Sequence, residues 1–420
     1  MAQVRPFAPE IQIDSDSLSQ RIQIISQTGT TRLAYSPEDI RGRTVVIKMM
    51  RDVGLNITID AAGNIVGRRL GRKQLPPLAF GSHVDTVRDG GRYDGILGVM
   101  AAIECVRSLR DAGYTTEHPV EVIVFANEEG QRFGALCGSR ALVGALDSDD
   151  LARTDEDGRT LSQAIQEIGG DPTQLRAAKR KAGDITAYVE LHIEQGGTLE
   201  KAKTPIGIVE GISGISHTDV RITGRAAHAG TTTMEIRKDA LVAASELVLS
   251  VRKAALESRC HVATVGQLTV MPNGINIIPG EVSLTIEVRD IEMDKITATL
   301  GHLRQCGKEI ACRYGVQMDF SPRATIASVP CSPLMQEVIA QSCMDLGLGF
   351  LKLPSGAGHD AQMMAKLAPV GMIFVPSQDG ISHSPREFTS SDHCSKGAQV
   401  LLRTILYLDE ALSAPARSEA

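Results

Sequence analysis

The chain has 420 residues, 42% hydrophobic and 22% charged, with a formal net charge of −6 and an isoelectric point near 6.0. That length exceeds what one compact core usually serves, so two domains are expected, and the composition excludes disorder outside ends such as the tail at 413–420. The acidic balance excludes nucleic acid or an anionic membrane surface as the main partner.

No stretch approaches the ~18 apolar residues of a membrane span, and no apolar signal core follows Met1. The eight cysteines (105, 137, 260, 306, 312, 331, 343 and 394) are scattered without a CxxC pair. They read as reduced thiols of a cytoplasmic protein, and a structural zinc knuckle is not expected.

In chain order, residues 14–28 carry Leu18, Ile22 and Ile25 at helical spacing. Ser36-Pro37-Glu38-Asp39 reads as a capped helix start, with proline at the first helical position, and the helix runs on to about 53. Short apolar runs at 56–59, 64–67 and 78–81 have strand character. Residues 96–112 then read as a buried helix, and 120–126 and 188–192 as buried strands, too apolar for an edge. This alternation predicts an α/β sheet covered by helices on both faces.

From about 213 the pattern changes. Residues 219–223 alternate polar and apolar, as a half-exposed antiparallel strand does. A helix at 237–256, strands at 262–270 and 282–288, a helix at 294–314 and a strand at 315–321 follow. The order β-α-β-β-α-β is that of a ferredoxin-like domain. α/β character resumes after about 330, with a helix at 333–346, a strand at 371–375 and a helix at 390–412. The expected architecture is a discontinuous catalytic domain, 1–212 and 330–420, interrupted by an inserted α+β domain at 213–329.

Four strand ends present ligand-type residues. The run Gly81-Ser82-His83-Val84-Asp85-Thr86 is followed by a glycine-rich loop ending Tyr93-Asp94-Gly95. The strand at 120–126 delivers Asn127-Glu128-Glu129-Gly130, the strand at 188–191 delivers His192, and that at 372–375 leads to Gly380-Ile381-Ser382-His383-Ser384. The C-terminal edge of an open α/β sheet is where such folds place their sites. Adjacent acids after an apolar strand are costly unless positive charge is near, and Asp94 has two oxygens with which to bridge two cations. Only ten histidines exist, and three fall at equivalent places. One glutamate of the pair can ligate while its neighbour takes a proton from water.

These motifs, with Glu190-Leu191-His192-Ile193-Glu194-Gln195-Gly196, Ala227-His228-Ala229-Gly230-Thr231-Thr232 and Ser355-Gly356-Ala357-Gly358-His359-Asp360-Ala361, resemble the aminoacylase-like di-metal peptidases. The closer similarity is to their carbamoylase/allantoate amidohydrolase branch, across nearly the whole chain and in motif order. The resemblance implies a mixed-sheet di-metal hydrolase domain with an inserted ferredoxin-like lid that also forms a homodimer. It implies that His83 and His192 bind one metal, that Glu129 and His383 bind the other, and that Asp94 bridges them. Glu128 would be the general base and Asp85 would fix His83. Such ligands suit Zn²⁺ or Mn²⁺, with Co²⁺ or Ni²⁺ also compatible.

The resemblance also implies that His228 acts across the dimer on the oxyanion, and that Asn276 and Arg289 bind the substrate's carboxylate. Gln195, His217, Gly358 and His359 are further candidates for substrate binding, with Gly356 beside them at the pocket wall. Two departures stand out: Gly214-Ile215-Ser216-His217 replaces the Gly-Gln-Arg-Trp type of lid entrance, and Thr233 stands where proline is common. The expected activity is hydrolysis of the carbamoyl C–N bond of an N-carbamoyl-L-amino acid or related ureido acid, releasing ammonia and CO2. Allantoate amidohydrolase and β-ureidopropionase are the nearest alternatives. An N-acyl-amino-acid hydrolase, a dipeptidase or a non-catalytic ligand-binding relative is more remote.

Overall fold

A computed structural model describes residues 10–413. The segment after Met1 and the tail at 414–420 lie outside the described residues. No described helix is long and apolar enough to cross a membrane. The fifteen strands in chain order are β1 (Asn56–Ile59), β2 (Ile65–Arg69), β3 (Leu78–His83), β4 (Val120–Phe125), β5 (Ala187–Ile193), β6 (Ile206–Ile212), β7 (Gly214–Thr223), β8 (Ala227–His228), β9 (Val262–Met271), β10 (Ile277–Ile278), β11 (Glu281–Asp290), β12 (Gln317–Ile326), β13 (Val329–Pro330), β14 (Phe350–Ser355) and β15 (Val370–Val375).

The chain divides into two compact units. The first comprises Met1–Glu210, Cys331–Leu353 and His359–Ala420. Its helices start where the sequence signals them. Asp14 accepts from the amides of Asp16 and Ser17 to open the helix Ser15–Ser26. Ser36 accepts from the amide of Asp39, ahead of Pro37, to open Pro37–Asp52.

The sheet of this unit runs β1-β2-β4-β3-β5-β15-β6. β4, β3, β5 and β15 are mutually parallel neighbours, with His83 beside Phe125 and His192 beside Phe374. Parallel pairing aims all four C-terminal ends at one edge. Every residue of these four strands is buried, which explains runs such as Val120–Phe125 that show no alternation. One core packs helices Ser15–Ser26, Pro37–Asp52, Ile96–Asp111, Pro333–Asp345 and Ser391–Ser413 with sheet residues such as Phe80, Val122, Leu191 and Ile373. A second cluster, including Tyr35, Phe133, Leu161 and Ile165, is built largely from the short helices that follow β4.

The second unit is Gly211–Pro330 together with Pro354–Gly358. The latter segment departs from the boundaries expected from sequence, and its reason is local: the amide of Ser213 donates to the carbonyl of Ser355. Its sheet runs β12-β7-β11-β9, antiparallel throughout. With helices Ala240–Leu256 and Met293–Tyr314, this is the ferredoxin-like order of strands. Val220, Ile222, Leu284, Ile286 and Val288 alternate inward against Ala243, Leu247 and Leu303 of the helices. β7 begins at Gly214, five residues earlier than the alternation at 219–223 suggests, because its first half pairs with both neighbours even where polar residues interrupt the pattern.

Ile373, at the centre of β15, is fully buried, whereas Ile24 is 42% exposed. Ile373→Ala should cost about 2–5 kcal/mol through lost contacts and a cavity, and Ile24→Ala under about 0.5 kcal/mol. Urea unfolding followed by circular dichroism separates the two; equal midpoints would contradict the assigned core.

Candidate metal centre

The four parallel strand ends of the first unit bring His83, Asp94, Glu129, His192 and His383 together. Asp94 is the focus. Its Oδ1 lies 3.1 Å from His192 Nε2 and 3.8 Å from His83 Nε2, while its Oδ2 lies 3.0 Å from His383 Nε2. His383 Nε2 is also 3.5 Å from Glu129 Oε2. One oxygen of Asp94 therefore faces the His83/His192 pair and the other faces the Glu129/His383 pair. His83, Asp94 and His192 form one convergent donor group, and Asp94, Glu129 and His383 another.

Second hydrogen bonds orient the imidazoles. His83 Nδ1 lies 3.0 Å from the backbone carbonyl of Asp85, and His192 Nδ1 lies 2.9 Å from that of Ile193. With Nδ1 held by a backbone carbonyl in both, Nε2 is the nitrogen turned toward Asp94, and it is the atom that would ligate an ion once its own proton is displaced. Gly95 holds this closeness: it has φ +66, and a Cβ there would lie 2.5 Å from the His83 ring.

Asp85 lies against His83 as the sequence expects, with a carboxylate oxygen 3.8 Å from His83 Nδ1. It hydrogen-bonds His83 through its backbone carbonyl, and its carboxylate accepts from the amides of Glu128 (3.2 Å) and Glu129 (3.1 Å). It thereby fixes the turn after β4 in which Asn127 takes a left-handed φ of +55. Glu128 Oε2 sits 3.7 Å from His83 Nε2, next to the first donor group.

The electrostatics follow from burial and crowding. Burial pushes Glu128 well above the usual carboxylate range, and Asp360, Glu129, Asp85 and Asp94 push it further. Burial and Asp94 push Glu129 up to about 8, against the pull of His383. Burial works on Asp94 in the same direction, but hydrogen bonds from His192 and His383 prevail and hold it well below its ordinary value. Burial opposes a charge on His192, yet Asp94 and Glu190 raise it to about 9. The hydrogen bond to Asp94 raises His383 to about 9 against burial.

The donor set fits divalent cations. Three imidazole nitrogens and carboxylates from Asp94 and Glu129 converge, and Glu129 Oε1 is buried without a hydrogen-bond partner among the described residues. A buried carboxylate oxygen with no donor is costly unless a cation meets it.

The substrate candidates separate. Gln195 donates from Nε2 to Asp94 Oδ2 at 2.9 Å, so in this structure it supports the shared carboxylate. His359 is 2% exposed, with its ring edge-to-face on His192 at 4.5 Å, and it forms a further convergent donor group with Glu190 and His192. Glu190, Asp360 and Glu387 escaped the sequence reading. Glu190 accepts from Ser82 Oγ, the Tyr188 hydroxyl and the Ala361 amide, behind the two histidine strands. The only sequence signal for these three is an acid within four residues of a ligand histidine or inside the glycine-rich run.

In the second unit, Arg289 Nε donates to Glu287 Oε1 at 2.7 Å and Nη1 donates to the Gly356 carbonyl at 2.6 Å. His217 Nε2 lies 2.7 Å from Glu287 Oε2. His217 thus bears on Arg289 through Glu287. Gly358 belongs to the same segment as Gly356. Thr233 has φ −64, a value proline also adopts, so that departure leaves the backbone path unchanged.

Asn276 and Arg289 do not come together. Asn276 sits beside His228, where β8 pairs with β10 and the Ala229 amide donates to the Asn276 carbonyl at 2.9 Å. Both lie beyond the Glu281 end of β11, whereas Arg289 is eight residues along that strand. At about 3.4 Å per residue the separation is roughly 27 Å. No small molecule can touch Arg289 and the His228/Asn276 hairpin of one chain at once. His228 Nδ1 accepts from the amides of Gly230 (3.0 Å) and Thr231 (3.3 Å), which leaves the proton on Nε2 as a donor.

Known proteins match this chain over most of its length. The model of peptidase family M20/M25/M40 matches residues 79–407. An N-carbamoyl-L-amino acid amidohydrolase of Geobacillus stearothermophilus is 39% identical over 404 residues, covering 94% of this chain and 99% of that protein. An allantoate amidohydrolase of Bacillus subtilis (strain 168) is 34% identical over 378 residues, covering 89% and 91%. The crystal structure of an amidase of the hydantoinase/carbamoylase family from Burkholderia multivorans superposes with a TM-score of 0.90 at 34% identity, covering 97% of this chain and 100% of that one. The chain belongs to the M20/M25/M40 peptidase family, within its hydantoinase/carbamoylase branch of amidohydrolases.

Proposed function

We propose that the protein hydrolyses the carbamoyl C–N bond of an N-carbamoyl-L-amino acid or a related ureido acid, consuming one water and releasing the amino acid, ammonia and CO2. The observation that carries this reading is the division of Asp94 between two donor groups with the Glu128 carboxylate beside one of them. The amidohydrolase relatives supply the substrate class. Hydrolysis of allantoate is the second reading, favoured by the allantoate amidohydrolase likeness.

His83 and His192 would hold one divalent ion, Glu129 and His383 the other, and Asp94 both. Such ions supply positive charge that acidifies a water and polarises a carbonyl. Glu128 accepts the proton of the attacking water and returns it to the leaving nitrogen, a role open to a carboxylate that sits beside the first donor group. His228, with its Nε2 proton fixed outward, donates to the oxygen that gains charge as the carbonyl is attacked. Arg289 offers its remaining N–H groups to the substrate carboxylate.

The roughly 27 Å between Arg289 and the His228/Asn276 hairpin supports an assembly in which one copy supplies Arg289 and another supplies His228 and Asn276. A homodimer is further supported by β9, an edge strand with Val262, Leu268 and Met271 exposed, and by Val242 and Leu249 exposed on the helix Ala240–Leu256 packed against it.

Ammonia release should be measured over N-carbamoyl-L-amino acids, allantoate, ureidoglycolate and N-acyl amino acids, with Zn²⁺, Mn²⁺, Co²⁺ or Ni²⁺ supplied. Turnover confined to the N-acyl compounds would sink the ureido reading. Glu128→Gln should lower kcat by about 10²–10⁴-fold with metal content unchanged, and turnover that survives removes Glu128 as the base.

Metal removal should change how stability depends on pH. Glu129, raised to about 8, keeps in the folded chain a proton that an unfolded glutamate with a pKa of 4.5 releases. The stability it contributes is complete below about 4.5 and is lost as the pH rises through about 8. His192 and His383, raised to about 9, act in the same sense at higher pH. The Tm of chelator-treated protein should therefore fall from pH 5 to pH 8, and fall less with Zn²⁺ or Mn²⁺ bound; parallel curves would contradict the assigned centre.

Mixing His228→Ala with Glu128→Gln should return activity, because each heterodimer regains one intact site. At full subunit exchange the recovery should be about a quarter of wild-type turnover. No recovery, with exchange confirmed by mass, removes His228 as a residue acting in trans.

A further inference from the structure

We infer that Glu387 is a positioning residue that sets the orientation of Asp94 by clasping the backbone of its loop to the loop that carries His383. The inference rests on the two-ion reading of the centre. Glu387 is 3% exposed and lies four residues past His383. Its Oε1 accepts from the amide of Tyr93 at 2.9 Å and from the amide of Asp94 itself at 3.1 Å. Its Oε2 accepts from Ser382 Oγ at 2.7 Å. One carboxylate thus grips the main chain at the shared ligand and the residue just before His383.

The surroundings are shaped to this contact. A Cβ on Gly91 would overlap the Glu387 carboxylate, so the glycine-rich loop has room for the clasp only with glycine there. The Glu387 amide donates to the Ser384 carbonyl at 2.9 Å, which turns the chain back toward Asp94. His383, just before that turn, has a left-handed φ of +52. Ser382 Oγ also approaches Asp94 Oδ2 at 3.5 Å.

Glu387 is not itself a ligand in this arrangement. Both of its oxygens are taken by hydrogen-bond donors, and it belongs to none of the convergent donor groups among the described residues. What it contributes is alignment. A carboxylate that bridges two ions must have its plane fixed, because a rotation that improves one oxygen's contact spoils the other's. The side chain of Asp94 has only two torsions, so fixing its amide fixes the main-chain position from which both start. Outer partners of metal ligands commonly alter metal affinity by about 10–100-fold.

The test is calorimetric titration of metal-free, full-length protein with Mn²⁺, comparing wild type, Glu387→Ala, Glu387→Gln and Gly91→Ala. Glutamine keeps an acceptor oxygen for the two amides, whereas alanine keeps none. Wild type should take up two ions. Glu387→Ala should weaken the second ion by about tenfold or more, and Glu387→Gln by no more than about threefold. Gly91→Ala, which displaces the clasp while the chain keeps the Glu387 carboxylate and its charge, should follow Glu387→Ala and carries the test if that variant does not fold. Two ions bound by Glu387→Ala with wild-type affinity overturn the inference. So does an equal loss in Glu387→Gln, which would assign the effect to charge. Wild-type protein that takes up fewer than two ions overturns the two-ion reading itself, which is a distinguishable result.

Discussion

The sharing of one buried carboxylate between two sets of histidines governs the rest of the first unit. Asp94 stays ionised in a buried place because His192 and His383 each give it a hydrogen bond, one per oxygen, and Gln195 gives Oδ2 another. It also directly precedes Gly95 and the helix Ile96–Asp111, whose N-terminal end carries partial positive charge. Four parallel strands must end at one edge for these partners to meet, and two loops must return from elsewhere in the chain. The fully buried strands, the glycine beside the His83 ring and the clasp from Glu387 are all consequences of that demand.

The same crowding explains the acids around it. Asp85, Asp94, Glu128, Glu129, Glu190 and Asp360 are brought close to one another, and burial raises most of them. A protein gains nothing in stability by gathering carboxylates away from water. The arrangement makes physical sense when cations complete it and when one acid, Glu128, is left to carry a proton.

Much of this was legible in the sequence, for a definable reason. Buried parallel strands are short, continuous apolar runs, and their C-terminal ends can be marked to within two residues, so His83, Glu129 and His192 could be placed near strand ends without coordinates. What stayed hidden depended on which atom of a residue is used or on contacts between distant segments. Asp85 orients His83 by its carbonyl and spends its carboxylate on two amides, a distinction that spacing does not encode. Glu387 meets Asp94 across almost 300 positions of chain. His359 reads as a pocket residue beside glycines, yet packing turns its ring onto His192.

The second unit teaches the opposite lesson, because its main constraint was available from counting. Asn276 precedes β11 and Arg289 nearly ends it, so an unbroken strand between them already forbids their joint grip on one carboxylate from one chain. The unbroken strand thereby links substrate binding to oligomeric state: a reaction that uses both ends of this sheet on one small substrate needs two copies. It also bears on specificity. His217, one of the positions where this chain departs from its relatives, shares Glu287 with Arg289, and Gly356 occupies a further guanidinium N–H. A substitution at His217 therefore acts through Glu287 on the angle of the Arg289 fork.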